Sequence, residues 1–383
     1  MFVRVPARVA FLAAWSAAAA APASVAAPAG EQAPECSSLL QVHRPGPALL
    51  NERSQLCSPD PGADQHLADV MRRIAGNEFA EPLEAAWTAY QAKVAEEAER
   101  QHPSPKRALR VLIVSPVKSA MLEAVAFNME RLPRTGAGDV FKLALFQYDV
   151  EEGRRPVADS GHMSALLPRI ELYRSGPGCS AQFWRHVTPD VVEGFGYVWM
   201  MDGDLRMDYF DWTIYRQVLL QLDPLVPQPS IVAWSPEKKS SWWGDLSMRG
   251  PAANGTMESF WEPYMVEIMT PLLSAKIWPA VHLRLQSMDG RQSSAMQRFV
   301  NRIAKLAKGA GCTQTAGLVV NLSPLRHADC HDLRNGTGCG GGWFHQDCAN
   351  ITVAEADALV RGLGGSCVGA RDRDVWEGVR IGC

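Results

Sequence analysis

Two apolar runs with a helix between them constrain this chain more than any other feature. Leu109-Arg110-Val111-Leu112-Ile113-Val114-Ser115-Pro116 reads as a buried strand running into a turn. Lys118 to Leu132 then carries helical spacing through Met121, Leu122, Val125, Phe127 and Met129, and Val140 to Tyr148 is a second strand. Strand, helix, strand favours a parallel sheet in an α/β fold, whose ligand sites lie beyond the carboxyl ends of strands. The first such end holds Ser115 to Lys118 and the second Gln147, Tyr148 and Asp149, the last a natural cap as well as a candidate ligand.

About a hundred residues further on comes Gly196-Tyr197-Val198-Trp199-Met200-Met201-Asp202-Gly203-Asp204, an apolar run that ends in two carboxylates. Residues two apart on an extended chain point to the same side, so Asp202 and Asp204 can face one hard divalent cation, with Gly203 leaving room for a bulky ligand. The competing reading is a strand-ending turn, or a cap for the helix spanning Tyr209 to Leu222, because aspartate favours both. Asp372-Arg373-Asp374 has the same spacing but follows no apolar strand, and reads as solvated surface charge.

Other segments fall into order around this run. Ala63 to Gln101 is helical, with a restart at Pro82, and reads as a hairpin or stem packed on the main domain. Arg169 to Tyr173 and Ser230 to Ser235 read as strands. Trp242 and Trp243 lie in a polar loop from Lys238 to Gly250, where they offer either ordinary packing or a stacking platform for a sugar or nucleobase. Pro263 to Pro271 is an apolar run enclosing Glu267, and a buried carboxylate needs a cation or metal partner unless it faces out from an edge strand. A long amphipathic helix is expected to follow up to about Lys308, and then a strand at Gly317 to Leu322 that delivers Arg326 and His327.

Composition narrows the function classes. With 383 residues, 47% hydrophobic, 21% charged and a net charge of −3, the chain has no basic stripe with interleaved aromatics, so nucleic acid is not expected as a partner. Arg4 and Arg8 precede an apolar, alanine-rich run with Ala-x-Ala-type cleavage positions around Ala21 to Ala26. This is the pattern of a secretory signal, or of an uncleaved anchor, which would be the one route to a membrane. Nine cysteines agree with an oxidising compartment, the odd count leaving at least one thiol free or paired with another chain, with Cys179 as the first choice. Cys330, His331, Cys339, His345 and Cys348 can be drawn as a zinc site, but secretion favours disulfides. Sequons stand at Asn254, Asn321, Asn335 and Asn350.

In the order and spacing of several of these elements the chain resembles the plant, algal and bacterial proteins grouped as domain of unknown function 707. The resemblance covers roughly residues 109 to 330: the strand from Val111 to Pro116, Phe146-Gln147-Tyr148-Asp149, Val198 to Leu205, and Val266-Glu267-Ile268-Met269-Thr270-Pro271. It implies a GT-A-like, Rossmann-type mixed sheet flanked by helices, and a glycosyltransferase that takes a nucleotide-sugar donor. On that footing Asp202 and Asp204 hold Mn²⁺ or Mg²⁺ against the donor diphosphate, His327 is a further metal contact and Arg326 a phosphate contact, and the Trp242–Trp243 platform read from the polar loop becomes a candidate donor contact. Glu267 or Asp289 would be the acceptor base. Asp289, in Ser287-Met288-Asp289-Gly290, stands where family members usually carry a Trp-Gly-x-Asp-like element, and the match there is poor.

The organisation that follows is a signal at 1–27, a linker and helical stem at 28–105, a GT-A-like domain at 106–329 and a disulfide-rich extension at 330–383. The function it points to is sugar transfer in the ER or Golgi lumen, or by a secreted protein, to a glycan, glycoprotein or small-molecule acceptor. Its rivals are a non-catalytic carbohydrate-binding glycoprotein on a degenerate fold and an aspartyl-nucleophile phosphohydrolase, although that motif normally closes the first strand of its domain.

Overall fold

The computed structural model describes residues 65–75, 78, 80–101, 107–135, 138–154, 161–232, 246–250, 258–288, 293–313, 315–327 and 351–364. Helices α1 (Gln65–Ala75) and α2 (Glu81–Gln101) precede β1 (Arg110–Val117), a 3-10 turn at Ser119–Met121 that runs into α3 (Leu122–Thr135), and β2 (Val140–Gln147). Next come α4 (Gly161–Leu166), β3 (Ile170–Ser175), α5 (Ser180–Trp184), α6 (Pro189–Val192), β4 (Tyr197–Met200), β5 (Leu205–Arg206), α7 (Trp212–Leu222) and β6 (Val226–Val232). The remainder is β7 (Phe260–Trp261), β8 (Leu272–Ser274), α8 (Trp278–Ser287), α9 (Ser293–Gly309), β9 (Gly317–His327) and α10 (Val353–Leu363).

This is an α/β fold with mixed sheets flanked by helices. The main sheet runs β3-β2-β1-β4-β8, with β1 parallel to β2 and β4, β3 parallel to β2, and β8 antiparallel to β4. Val111, Ile113 and Val117 of β1 join α3 and α7 in one core, while Leu112 and Val114 join α8, α9 and α10 in another. A strand buried on both faces has no polar face to alternate with, which is why these strands read as continuous apolar runs.

The late strand does not extend that sheet. β9 builds a second one, β5-β9-β6 with β7 also on β9, and Pro227 and Pro229 suit β6 to its edge position. Helices α1 and α2 pack on this part through Trp87, whose indole N–H donates to the Tyr209 carbonyl at 3.0 Å. Gln91 donates to the carbonyls of Tyr209 and Leu322 at 2.8 and 2.7 Å.

Several expectations meet a different structure. The long helix to Lys308 is two helices, α8 and α9, since Met288 already leaves helical geometry at ψ 155. Pro263 to Thr270 forms no regular strand, so Glu267 does not face out from a sheet edge. Cys179 is disulfide-bonded, as is Cys312, so Cys179 is not the free thiol. Its isolation in sequence says nothing of what tertiary structure brings to it. Asn321 is fully buried, its amide donating to the carbonyls of Arg249 and Glu258 and accepting from Arg249 N–H, which closes that sequon to a glycan.

Within the C-terminal extension, 351–364 packs on the domain: Ala358, Leu359 and Leu363 of α10 enter the core, and Arg284 pairs with Glu355 at 2.7 Å. Among the described residues no helix is long and apolar enough to cross a membrane. The signal segment, Cys36, Cys57, Asp289, Trp242, Trp243, the remaining sequons, the Cys330 to Cys348 cluster and Asp372 to Asp374 all lie outside the described residues.

Candidate metal and donor site

In an open α/β sheet the ligand crevice forms outside the carboxyl ends of the strands, where strand order reverses. Here β2 and β3 are laid on one side of β1 and β4 on the other, so the reversal falls between β1 and β4. The carboxyl end of β4 is the Asp202-Gly203-Asp204 turn.

Backbone bonds fix that turn from three sides. Met201 N–H donates to the Val114 carbonyl at 3.0 Å, Asp202 N–H to the Met269 carbonyl at 2.9 Å, and Leu205 N–H back to the Asp202 carbonyl at 3.3 Å. Beneath it, Trp199 stacks on Tyr215 at 5.9 Å between ring centres and donates to Thr270 Oγ1 at 3.0 Å. The helix-cap reading does not hold for either carboxylate. Asp211 caps α7, accepting from the N–H groups of Thr213 and Ile214.

Gly203 has a different purpose from the one its sequence suggests. A Cβ there would stand 2.7 Å from Val117 Cγ1, 3.1 Å from Met121 Sδ and 3.2 Å from the Pro116 carbonyl oxygen. The glycine makes room for the end of β1, not for a ligand, and so docks the turn on the strand across the reversal point.

Asp202 feels two other carboxylates. Burial, then the negative charges of Asp204 and Glu267, raise the Asp202 carboxyl well above its ordinary value, although Asp202 keeps part of its surface exposed to solvent. Asp204 is 2% exposed, and its Oδ2 stands 3.4 Å from His327 Nε2, an ion pair when the imidazole is protonated. Asn128, buried on α3, braces the adjoining strand by donating to the Leu205 carbonyl at 2.7 Å and accepting from Met207 N–H at 2.9 Å.

Glu267 is buried, and burial raises its carboxyl above the ordinary value, partly opposed by bonds from Ile268 N–H and the Gln297 amide. Its loop hangs from two residues one turn apart on α9. Gln297 donates to Glu267 Oε2 at 3.0 Å, while Asn301 accepts from Val266 N–H and donates to the Val266 carbonyl. Gln228 Oε1 of β6 accepts from Glu267 N–H at 2.7 Å.

The donor set suits a hard cation. Two donors 3.4 Å apart, as on Asp204 and His327, are close to the spacing of cis ligands on one octahedral ion, which stand about 3 Å apart for bonds of about 2.1 Å. Among the described residues no group of three or more His, Cys, Asp or Glu side chains forms a metal cage. Mg²⁺-like ions are commonly held by one or two carboxylates together with substrate phosphates, so an incomplete protein set is the ordinary arrangement for them.

The structure thus pairs Asp204 with His327 and sets Asp204 and Glu267 within electrostatic reach of Asp202. Arg326 lies next to His327 but is bonded to buried Asp208, Nε to Oδ2 at 2.7 Å. Asp149 is tied to the turn after β1, its carboxylate accepting from the Ser119 N–H and hydroxyl at 2.8 and 3.1 Å, while Gln147 bridges Ser119 and Tyr173. Sequence reasoning missed Asn128, Asp208, Gln297 and Asn301. A signal existed for Asn128 and Asn301, since each is a polar residue in the apolar phase of its helix, beside Val125 and Met129 and beside Val300 and Ala304. Compared with known proteins, the chain matches no protein-family model and no curated protein.

Proposed function

We propose that this chain is a GT-A-like, metal-dependent glycosyltransferase-like protein of the secretory pathway, of the kind grouped as domain of unknown function 707. It would transfer a sugar from a nucleotide-sugar donor to a glycan, glycoprotein or small-molecule acceptor. The observation that carries the reading is the pair Asp202 and Asp204 at the reversal of strand order, with His327 against Asp204 and Glu267 close enough to raise the Asp202 carboxyl.

In this reading Asp202, Asp204 and His327 hold Mn²⁺ or Mg²⁺. The bound ion supplies Lewis-acid neutralisation of the charge that develops on the departing diphosphate. Glu267 would take the acceptor proton, and the Gln297 bond holds its carboxylate. Arg326 contributes charge to the donor phosphates. Asp289 as the other candidate base, and Trp242 with Trp243 as a stacking surface, belong to the proposal as well.

The test is release of nucleoside diphosphate from a panel of nucleotide sugars by the purified full chain with Mn²⁺. The reading expects release from at least one donor, abolished by EDTA and by Asp202→Asn. Absence of both donor binding and release would overturn it, whereas Mn²⁺-dependent donor binding without release would assign the fold to the non-catalytic, carbohydrate-binding alternative.

A further inference from the structure

At the β3 edge of the main sheet, with β2 and β1 between it and the strand that carries Asp202, three basic side chains gather beside a stack of aromatic rings. Phe146 of β2 stacks on Phe183 at 5.4 Å and on His186 at 6.3 Å between ring centres, the planes 23° and 28° apart. Arg174 of β3 is the register partner of Phe146, so its side chain leaves the same face of the sheet, where Leu172 joins the core formed with α8 and α9. Arg185 belongs to that side as well. Its Nε donates to the Leu285 carbonyl of α8 at 2.7 Å, and its own carbonyl lies 3.1 Å from His282 Nε2.

The group lacks an acid. Arg174 and His186 are exposed and Arg185 is half-buried, yet among the described residues no carboxylate pairs with any of the three. Elsewhere the fold answers its arginines: Arg131 with Glu84, Arg216 with Asp139 and Arg284 with Glu355. Burial, then the positive charges of Arg174 and Arg185, lower the His186 imidazole below its ordinary value, and no carboxylate opposes them. Those two arginines are the charged groups that face it, while β2 and α5 offer the neutral rings of Phe146 and Phe183. Like charges gathered without a counter-charge weaken a fold, and an anion bound among them removes that cost.

We propose that Arg174, Arg185 and His186 form a binding site for a tetrahedral dianion, a sulfate or phosphate group, separate from the donor site and independent of that reading. The chemistry fits in charge and in shape. Each guanidinium can offer an edge of N–H donors to such an oxyanion, Arg185 the edge left over from its Leu285 bond. The imidazole takes up a proton as the dianion arrives, because a negative charge nearby favours its charged form. Stacking on Phe146 already limits the freedom of that ring. The rival explanation is three solvated side chains without a ligand.

The test titrates the full chain in EDTA with sodium sulfate, and separately with sodium phosphate, against sodium chloride at equal ionic strength, read by calorimetry and by the ring NMR signals of His186. The site predicts saturable binding, a His186 titration midpoint raised by the dianion and not by chloride, and sulfate binding that tightens as pH falls through that midpoint. Arg174→Gln and Arg185→Gln should each weaken binding about tenfold. Arg174 makes no side-chain hydrogen bond or ion pair among the described residues, so its variant tests the site without a cost in folding. Whichever of sulfate and phosphate binds more tightly names the group. No saturable binding, undiminished affinity in folded Arg174→Gln, or an equal His186 shift in chloride would each overturn the proposal. Failure of the donor-site reading shows separately, as loss of the Mn²⁺ response with this binding retained.

Discussion

His327 Nε2 lies 3.4 Å from Asp204 Oδ2, a contact set by the antiparallel pairing of β5 with β9. The carboxylates come from the end of a strand in the main sheet, the imidazole from the end of a strand in the second sheet. The candidate site is therefore where the two sheets meet, and the elements that join them control its geometry.

Gly203 is the first of those elements. Alanine at this position places a methyl 2.7 Å from Val117 Cγ1, a stiff β-branched side chain, and 3.2 Å from a backbone carbonyl. Gly203→Ala is expected to cost about 1–3 kcal/mol in chemical denaturation. It should also weaken the Mn²⁺ response, because relief of the clash displaces both carboxylates.

Asn128 braces β5 from the other side. Asn128→Ala strands the Leu205 carbonyl and Met207 N–H in a buried environment, with an expected loss of about 1–3 kcal/mol of stability. Hydrogen exchange should rise first at Met207, whose amide loses its acceptor.

Glu267 separates binding from turnover. Glu267→Gln keeps the shape of the side chain and removes its capacity to take a proton. Transfer should fall about 100- to 10,000-fold while the donor-induced thermal shift is retained. Equal loss of both would make Glu267 a binding residue instead.

How much of this was legible in the sequence depends on what each residue answers to. β1, β2 and β4 were readable because burial on both faces leaves an uninterrupted apolar run, and Glu267 stood out as an acid within one. The residues around them were not. Gly203 looked like space for a ligand because sequence does not show that Val117 and Met121 fill that space. Asp208 carried no signal of its own because one of its two arginine partners, Arg326, is brought to it only by the pairing of β5 with β9. The second sheet was hidden for the same reason: periodicity marks β9 as a strand, and its neighbours are chosen by packing.

Gly362 gives a prediction remote from the site. A Cβ there would fall 1.7 Å from the Lys276 carbonyl oxygen, a backbone atom that cannot rotate away. Gly362→Ala is expected to cost at least about 3 kcal/mol and to release α10. Limited proteolysis would then cut within 351–364 in the variant and spare that segment in the wild type.

The most direct test of the central claim is thermal unfolding of the full chain with nucleotide sugars, with and without Mn²⁺, in the wild type, Asp202→Ala and Asp204→Ala. The account predicts a donor-dependent rise in melting temperature that requires Mn²⁺ and disappears in both variants. A rise that persists without Mn²⁺ and in both variants would contradict it.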